Sequence, residues 1–136
     1  MDEFLISNSS YLRLYNEYIK YGSLTIGVDF DGTLYDYHKT GAKYEMVRQL
    51  VRDLSAINCK IVIWTSNQDL NFVSEFCKEN NIPFSGINEG SIPLQWESKK
   101  PFFSALLDDR AGLYQVYQEL DLLIKAIKKN ANKTIL

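Results

Sequence analysis

The stretch LTIGVDFDGTLYD, residues 24–36, decides the fold of this 136-residue chain. It begins with a short apolar run typical of a buried strand and continues into Asp29 and Asp31, which are followed by Gly32. Side chains alternate between the two faces of a strand, but Gly32 permits a tight turn that can direct both carboxylates toward one cavity. Two carboxylates at the mouth of an apolar sheet are unfavourable without a positive partner, and Mg²⁺ binds oxygen ligands of this kind. The stretch therefore predicts a buried strand that ends in a metal site.

The pattern of an apolar stretch followed by polar residues recurs after this first strand. Further strands are predicted at CKIVIW (59–64), IPFSGI (82–87) and FFSALL (102–107). Apolar residues spaced three and four apart predict helices within 1–21, from about 43 to 57, after an N-cap at Asn67 or Asp69, and from about 112 to 130. The alternation predicts an α/β fold: a three-layer, Rossmann-like open parallel sheet with helices on both faces. In such sheets, ligands bind outside the carboxyl ends of the strands.

Length and composition predict one domain over 1–136, with a helical N-terminal extension over 1–21 and a core over 22–136. The net charge of −2 provides no overall field toward nucleic acid or anionic lipid. The chain has neither a basic leader nor a continuous apolar run of about 18 residues. Cys59 and Cys77 lack CxxC spacing and are typical of inert core thiols. We therefore expect a cytoplasmic monomer or homodimer that does not bind membranes.

Four short motifs resemble those of the haloacid dehalogenase superfamily. DFDGTL, residues 29–34, resembles the first motif of its phosphatase branch. IVIWTS (61–66), SKKP (98–101) and LLDDRAG (106–112) are similar to the second, third and fourth motifs, and they follow in the family's order. The resemblance covers residues 24 to about 113, nearly the whole predicted core.

The resemblance implies roles for four aspartates. Asp29 matches the nucleophile, which attacks phosphorus and forms an aspartyl phosphate. Asp31 matches the general acid and base, which protonates the leaving oxygen and then activates water. A carboxylate oxygen of Asp29, the backbone carbonyl of Asp31 and the pair Asp108 and Asp109 would hold Mg²⁺, with Asp109 as the preferred direct ligand. The family's haloalkanoate-hydrolysing members lack the second aspartate of the first motif, so Asp31 favours a phosphatase.

The resemblance also implies the groups that bind phosphate. Thr65 matches the phosphate-binding hydroxyl, with Ser66 as a replacement, and Lys100 matches the phosphate-binding lysine, with Lys99 as the second choice. Only 34 positions separate Asp31 from Thr65, and 34 more lead to Lys99, which leaves no room for a cap domain. The implied protein is a capless Mg²⁺-dependent phosphatase. Its substrate would be a phosphorylated metabolite, a nucleotide or a nucleic-acid end.

Other interpretations of these residues remain open. Asp29 and Asp31 could end the strand in an Asx turn, and Asp108 with Asp109 could cap the last helix. A two-component receiver domain uses similar groups, but its lysine would follow every acid, whereas here the acid pair comes last. A catalytically silent module of the same fold, which binds a phosphorylated ligand or a partner, would keep the residues without turnover.

The sole histidine and several aromatic residues have both structural and functional interpretations. His38 follows the first motif and is either a surface residue or a substrate contact. Tyr35, Tyr37 and Trp96 either pack in the core or line a site entrance, where their rings could stack on a base.

Overall fold

The computed structural model describes residues 2, 5, 6, 8–89 and 102–134. Within them the elements follow in the order α1 (Ser9–Tyr21), β1 (Thr25–Val28), α2 (Glu45–Ala56), β2 (Lys60–Ile63), α3 (Leu70–Glu79), β3 (Gly86–Ile87), β4 (Ala105–Leu107) and α4 (Leu113–Thr134). The strands form one sheet in the order β3-β2-β1-β4, and every neighbouring pair is parallel. The predicted α/β fold with an open parallel sheet is therefore confirmed.

Strand β1 lies at the centre of the hydrophobic core. Ile26 and Val28 are fully buried and pair in register with Ile61 and Ile63 of β2. All four helices contribute side chains to the core cluster that contains these residues. Removing this surface from water is the main force that holds the helices on the sheet.

The other face of β1 carries Thr25 and Gly27. A Cβ atom at Gly27 would lie 2.7 Å from the ring of Phe103, so this ring packs directly against the strand backbone. Any larger residue at position 27 would displace the ring. The connection from β3 to β4 includes residues 90–101, which lie outside the described residues. Helices on this second face therefore stay a prediction.

The local signals for the helices agree with the observed elements. Helix α2 buries four members of its predicted apolar stripe, Val47, Leu50, Val51 and Leu54, whereas Met46, which was also predicted to belong to it, is 70% exposed. Helix α3 begins after Asp69, whose carboxylate accepts a hydrogen bond of 3.0 Å from the N–H of Phe72. Asp69 is therefore the N-cap rather than Asn67, which instead accepts the N–H of Asp69 through its side-chain oxygen.

Helix α1 buries less of its apolar surface than the sequence suggests. Leu14 is buried, and Tyr15 and Tyr18 pack against the core. Leu12 and Ile19 remain 52% and 57% exposed. Because one helical turn takes about 3.6 residues, these two positions lie on the side of the helix away from the sheet.

Both cysteines are buried and free, as expected for core thiols. Burial raises the pKa of Cys59 and of Cys77 to about 11, which keeps both thiols protonated near neutral pH. Among the described residues, no helix combines the length and the apolar character needed to cross a membrane.

The strand order places two strand ends side by side at the carboxyl edge of the sheet. The chain adds β2 and then β3 on one side of β1, whereas β4 lies on the other side. This reversal creates a topological switch point between β1 and β4, the position where open α/β sheets bind ligands. The N–H of Asp29 donates to the carbonyl of Leu107 at 2.8 Å, which fixes the two strand ends against each other.

Candidate active site

Three carboxylates converge at the switch point. Asp29 directly follows β1, and Asp108 with Asp109 directly follows β4. One carboxylate oxygen from each residue lies within 4.8 Å of the other two. Asp29 and Asp108 are partly buried and Asp109 is exposed. Acids separated by almost 80 positions in sequence thus form a cluster with the oxygen ligands that a hard divalent cation prefers.

Thr33 connects the two sides of this cluster. Its buried hydroxyl accepts the backbone N–H of Asp109 at 3.0 Å. The same hydroxyl lies 3.0 Å from Asp29 Oδ2 and 3.3 Å from Asp109 Oδ1, and it donates its single proton to one or the other. Sequence reasoning did not include Thr33 among the site residues, although it belongs to the DFDGTL motif. Its role depends on a contact across 76 positions.

The electrostatics of the cluster favour a proton on Asp29 when no cation is bound. The pKa of Asp29 is raised to about 7, mainly because burial disfavours its charged form. A hydrogen bond with Asp109 and the negative charge of Asp108 raise this pKa as well, whereas the hydroxyl of Thr33 lowers it. A cation at this position would favour the deprotonated form.

Gly32 allows the close approach of Asp109. Its backbone φ is +82°, in the left-handed region, and an added Cβ would lie 3.0 Å from Asp109 Oδ2. The glycine therefore serves both the turn after the first motif and the position of the Asp109 carboxylate.

Substituting Gly32 tests this arrangement. Gly22→Ala is the matched control, because Gly22 also has a left-handed φ of +70° but nothing lies within 4 Å of an added Cβ. This variant should lower the free energy of unfolding only by the cost of placing alanine in the left-handed region, about 1–2 kcal/mol. Gly32→Ala is expected to lower the free energy of unfolding by about 1 kcal/mol more, because the methyl group also crowds Asp109. Urea denaturation measures both values. Equal losses in the two variants would contradict the crowding of Asp109.

Asp31 faces the same cavity as the cluster but is separate from it. Its side chain lines the cavity, and its Oδ1 atom is buried without a hydrogen-bond partner among the described residues. A buried carboxylate oxygen without a partner is unfavourable unless a ligand supplies one. This oxygen of Asp31 is therefore placed to accept a hydrogen bond from a bound molecule.

The cavity has a volume of about 500 Å³. Its lining consists of Asp29, Asp31, Tyr37, His38, Ser66, Asn67, Asp108, Asp109 and Arg110. Asn67 and Arg110 were not among the site residues predicted from the sequence. Arg110 directly follows the acid pair, and that adjacency was the signal that could have identified it. It brings a positive side chain to a cavity otherwise rich in carboxylates.

The two hydroxyls proposed for phosphate binding differ in their surroundings. Ser66 is exposed and lines the cavity. The backbone of Thr65 is held by Asn88, whose side-chain amide accepts the N–H of Thr65 at 2.8 Å and donates to its carbonyl at 2.9 Å. The Thr65 hydroxyl accepts the N–H of Asn67 at 3.0 Å, and within the described part of the chain its own proton has no acceptor.

Two of the predicted site residues, Lys99 and Lys100, lie outside the described residues, as does Trp96.

The two tyrosines that follow the first motif, Tyr35 and Tyr37, have different environments. Tyr35 packs among Phe30, Phe72 and Phe76, with ring centroids 5.1–5.4 Å away, and so belongs to an aromatic cluster. Tyr37 lines the cavity instead.

Comparisons with known proteins bear on the fold. The chain is similar to the structure of a conserved protein from Bacteroides thetaiotaomicron, with 23% identity over 79% of this chain and 92% of that chain, and a TM-score of 0.59. A structure of a protein from Vibrio cholerae is 20% identical over 76% of this chain and 98% of that chain, with a TM-score of 0.48. No protein-family model matches the chain, and the search of curated proteins finds no match. The first likeness supports the α/β fold.

Proposed function

We propose that this protein is a Mg²⁺-dependent phosphohydrolase of the haloacid dehalogenase type that cleaves a phosphomonoester. The observation that carries the proposal is the convergence of Asp29, Asp31 and the pair Asp108 and Asp109 on one cavity at the switch point of a parallel sheet. The order of the four motifs along the chain supports the same assignment. A cytoplasmic location is part of the proposal, and the two free cysteines support it because thiols stay reduced in that compartment.

The residues of the cluster fit a magnesium ion. Asp29, Asp108 and Asp109 supply carboxylate oxygens close to one another, and their mutual repulsion is unfavourable without a cation. Mg²⁺ usually binds to one or two carboxylates, several waters and a substrate phosphate, which agrees with a cluster open to a cavity. When bound, the ion would neutralise negative charge on the phosphoryl oxygens.

The chain's own groups can perform the two steps of hydrolysis. In the first step a carboxylate oxygen of Asp29 attacks phosphorus, the bond to the leaving oxygen breaks, and Asp31 gives its proton to that oxygen. In the second step the Asp31 carboxylate takes a proton from water, which attacks the phosphoryl group on Asp29. Inorganic phosphate leaves, and both aspartates return to their initial states. The hydroxyl of Thr33 lies 3.0 Å from Asp29 Oδ2 and 3.3 Å from Asp109 Oδ1, and it positions whichever carboxylate accepts its proton.

The transferred phosphoryl group needs donors and positive charge around its oxygens. We assign this role to the hydroxyl of Ser66 or Thr65 together with Lys100 or Lys99. Ser66 lines the cavity, whereas Thr65 is not among its lining residues and accepts a hydrogen bond from the backbone of Asn67, which is.

Turnover of p-nitrophenyl phosphate tests the proposal. Release of p-nitrophenolate is expected with Mg²⁺ and should stop when the metal is removed with a chelator. A panel of phosphorylated metabolites, nucleotides and nucleic acids with terminal phosphates would then identify the substrate class. If no member of that panel is hydrolysed, the proposal is wrong, and a catalytically silent ligand-binding module is the better interpretation.

The raised pKa of Asp29 predicts how stability depends on pH and Mg²⁺. The folded pKa of about 7 exceeds the ordinary value of 3.8, so between these values the folded protein binds the proton more tightly than the unfolded chain. The metal-free protein should therefore lose stability as pH rises through this window. Because Mg²⁺ binds deprotonated carboxylates, it should raise the melting temperature more at about pH 8 than at about pH 5.5. Thermal unfolding with and without Mg²⁺ measures both shifts, and equal shifts would contradict the metal assignment.

A further inference from the structure

The cavity is larger than the reacting groups require. Its volume of about 500 Å³ falls within the range of roughly 300–1,000 Å³ that is typical of pockets for small organic ligands. A phosphoryl group and a metal ion would occupy the part next to Asp29 and the acid pair. The volume beyond these two groups is available to the leaving group of the substrate, and Tyr37, His38 and Arg110 belong to the same lining.

The loop over residues 36–41 holds two of these side chains in position. The carboxylate of Asp36 accepts hydrogen bonds from the N–H of Thr40 at 2.9 Å, from its hydroxyl at 3.1 Å and from the N–H of Gly41 at 2.8 Å. On the other side, the N–H of Tyr37 donates to the carbonyl of Tyr35 at 2.8 Å. A loop tied at both ends loses less conformational entropy when a ligand binds.

The side chains on this loop combine aromatic faces with polar groups. Tyr37 is 58% exposed, and its ring lies at 86° to the ring of His38, with centroids 5.2 Å apart. Exposed aromatic rings beside a cavity stack on planar bases, and they do so with little preference among the bases. Arg110 adds a guanidinium group, which donates hydrogen bonds in a plane and also stacks on rings.

We propose that Tyr37, His38 and Arg110 bind the leaving group of the substrate, and that this leaving group is a nucleoside. The inference rests on the proposed phosphatase activity, which it narrows to nucleoside phosphomonoesters. Two sources share this chemistry: a free nucleotide and the terminal nucleotide of an oligonucleotide. Tyr37 supplies the stacking surface, and Asp36 is a positioning residue that holds the loop.

Matched substrates with and without a base test the proposal. Ribose 5-phosphate has the phosphate and sugar of 5′-AMP but no base, and 3′-AMP covers the other phosphate position. We expect kcat/KM for the better of the two AMP isomers to exceed that for ribose 5-phosphate by about tenfold or more. Tyr37→Ala should remove most of this ratio, because it should lower kcat/KM for the AMP isomer by a larger factor than kcat/KM for ribose 5-phosphate.

Tyr21→Ala is the matched control, because Tyr21 is also an exposed tyrosine, 67% accessible, but lies at the end of α1 before β1 begins. This variant should keep the full ratio of kcat/KM for AMP to kcat/KM for ribose 5-phosphate.

Binding of adenosine, detected by saturation-transfer NMR, gives a measurement that needs no turnover. Tyr37→Ala should weaken adenosine binding, whereas Tyr21→Ala should not. A short single-stranded oligonucleotide with a terminal phosphate, compared with AMP, identifies which source is preferred, and Tyr37-dependent hydrolysis of either supports the proposal.

The outcomes separate this inference from the proposed function. The nucleoside assignment is wrong if ribose 5-phosphate is hydrolysed as efficiently as both AMP isomers, or if Tyr37→Ala lowers kcat/KM for all three substrates by the same factor. Either result leaves the proposed phosphatase activity intact. If none of these substrates nor any other phosphomonoester releases phosphate, both proposals fail together.

Discussion

Asp29→Asn is expected to lower the kcat of phosphate release by about three orders of magnitude or more. The change removes the attacking carboxylate, and loss of a catalytic nucleophile leaves only the contribution of binding and positioning. The amide oxygen of asparagine still accepts the hydrogen bond from Thr33, so the local structure should persist. Without Mg²⁺ and above about pH 7, where Asp29 is deprotonated, the variant should therefore melt at the same temperature as the wild type or higher, because one of three repelling charges is gone.

Steady-state hydrolysis of p-nitrophenyl phosphate with saturating Mg²⁺ measures this loss. Asp53→Asn is the matched control, because Asp53 lies on α2 and contacts Gln49 at the surface, away from the lining of the cavity. Mass spectrometry of acid-quenched protein should detect a phosphoryl group on Asp29 of the wild type and none in the Asp29→Asn variant. Substantial activity in Asp29→Asn would remove Asp29 from the role of nucleophile.

Asp31→Asn should produce the second largest effect, a fall in kcat of about 10²–10⁴-fold for substrates with alkyl leaving groups. Asparagine cannot give a proton to the leaving oxygen or take one from water. The loss should be smaller for p-nitrophenyl phosphate in the first step, because p-nitrophenolate leaves without being protonated. A structural role for Asp31 would instead lower the rate of the first step by the same factor for both kinds of substrate.

Single-turnover measurements separate the two steps for this variant. Rapid formation of the aspartyl phosphate from p-nitrophenyl phosphate, followed by slow release of phosphate, is the expected pattern if Asp31 also activates water. An equally slow formation from p-nitrophenyl phosphate and from an alkyl phosphate would contradict the assignment of Asp31 as general acid. Asp53→Asn again serves as the control and should behave like the wild type.

Much of the fold followed from local patterns in the sequence. The apolar run of β1 and the stripe of α2 both predicted elements that the structure contains, since burial imposes a repeat of 2 on strands and of 3.6 on helices. The N-cap at Asp69 was one of two alternatives, and the choice depended on a hydrogen bond to Phe72 three residues later. For α1, the pattern overstated burial, because Leu12 and Ile19 are apolar but more than half exposed.

For the candidate site, the sequence predicted which residues follow the strands, but not which side chains contact each other. Topology rules place the carboxyl ends of strands at the same edge of a parallel sheet, and Asp29 and Asp109 do lie together there. The particular contacts were beyond those rules. Thr33 bridges two acids across the switch point, and Asn88 holds the backbone of Thr65. Each contact joins residues that follow different strands, and its geometry depends on sheet register and loop path rather than on neighbouring sequence.

The sequence by itself determined the alternation of strands and helices, the buried centre at β1 and the identity of the acids that end two strands, because these features depend on residue type and short-range spacing. Only the tertiary structure decided that Tyr35 joins an aromatic cluster while Tyr37 lines the cavity, and that Arg110 lies at the same cavity as Asp31. The reason is that side-chain neighbours across 30 or more positions are selected by how the elements pack, and no local repeat encodes that packing.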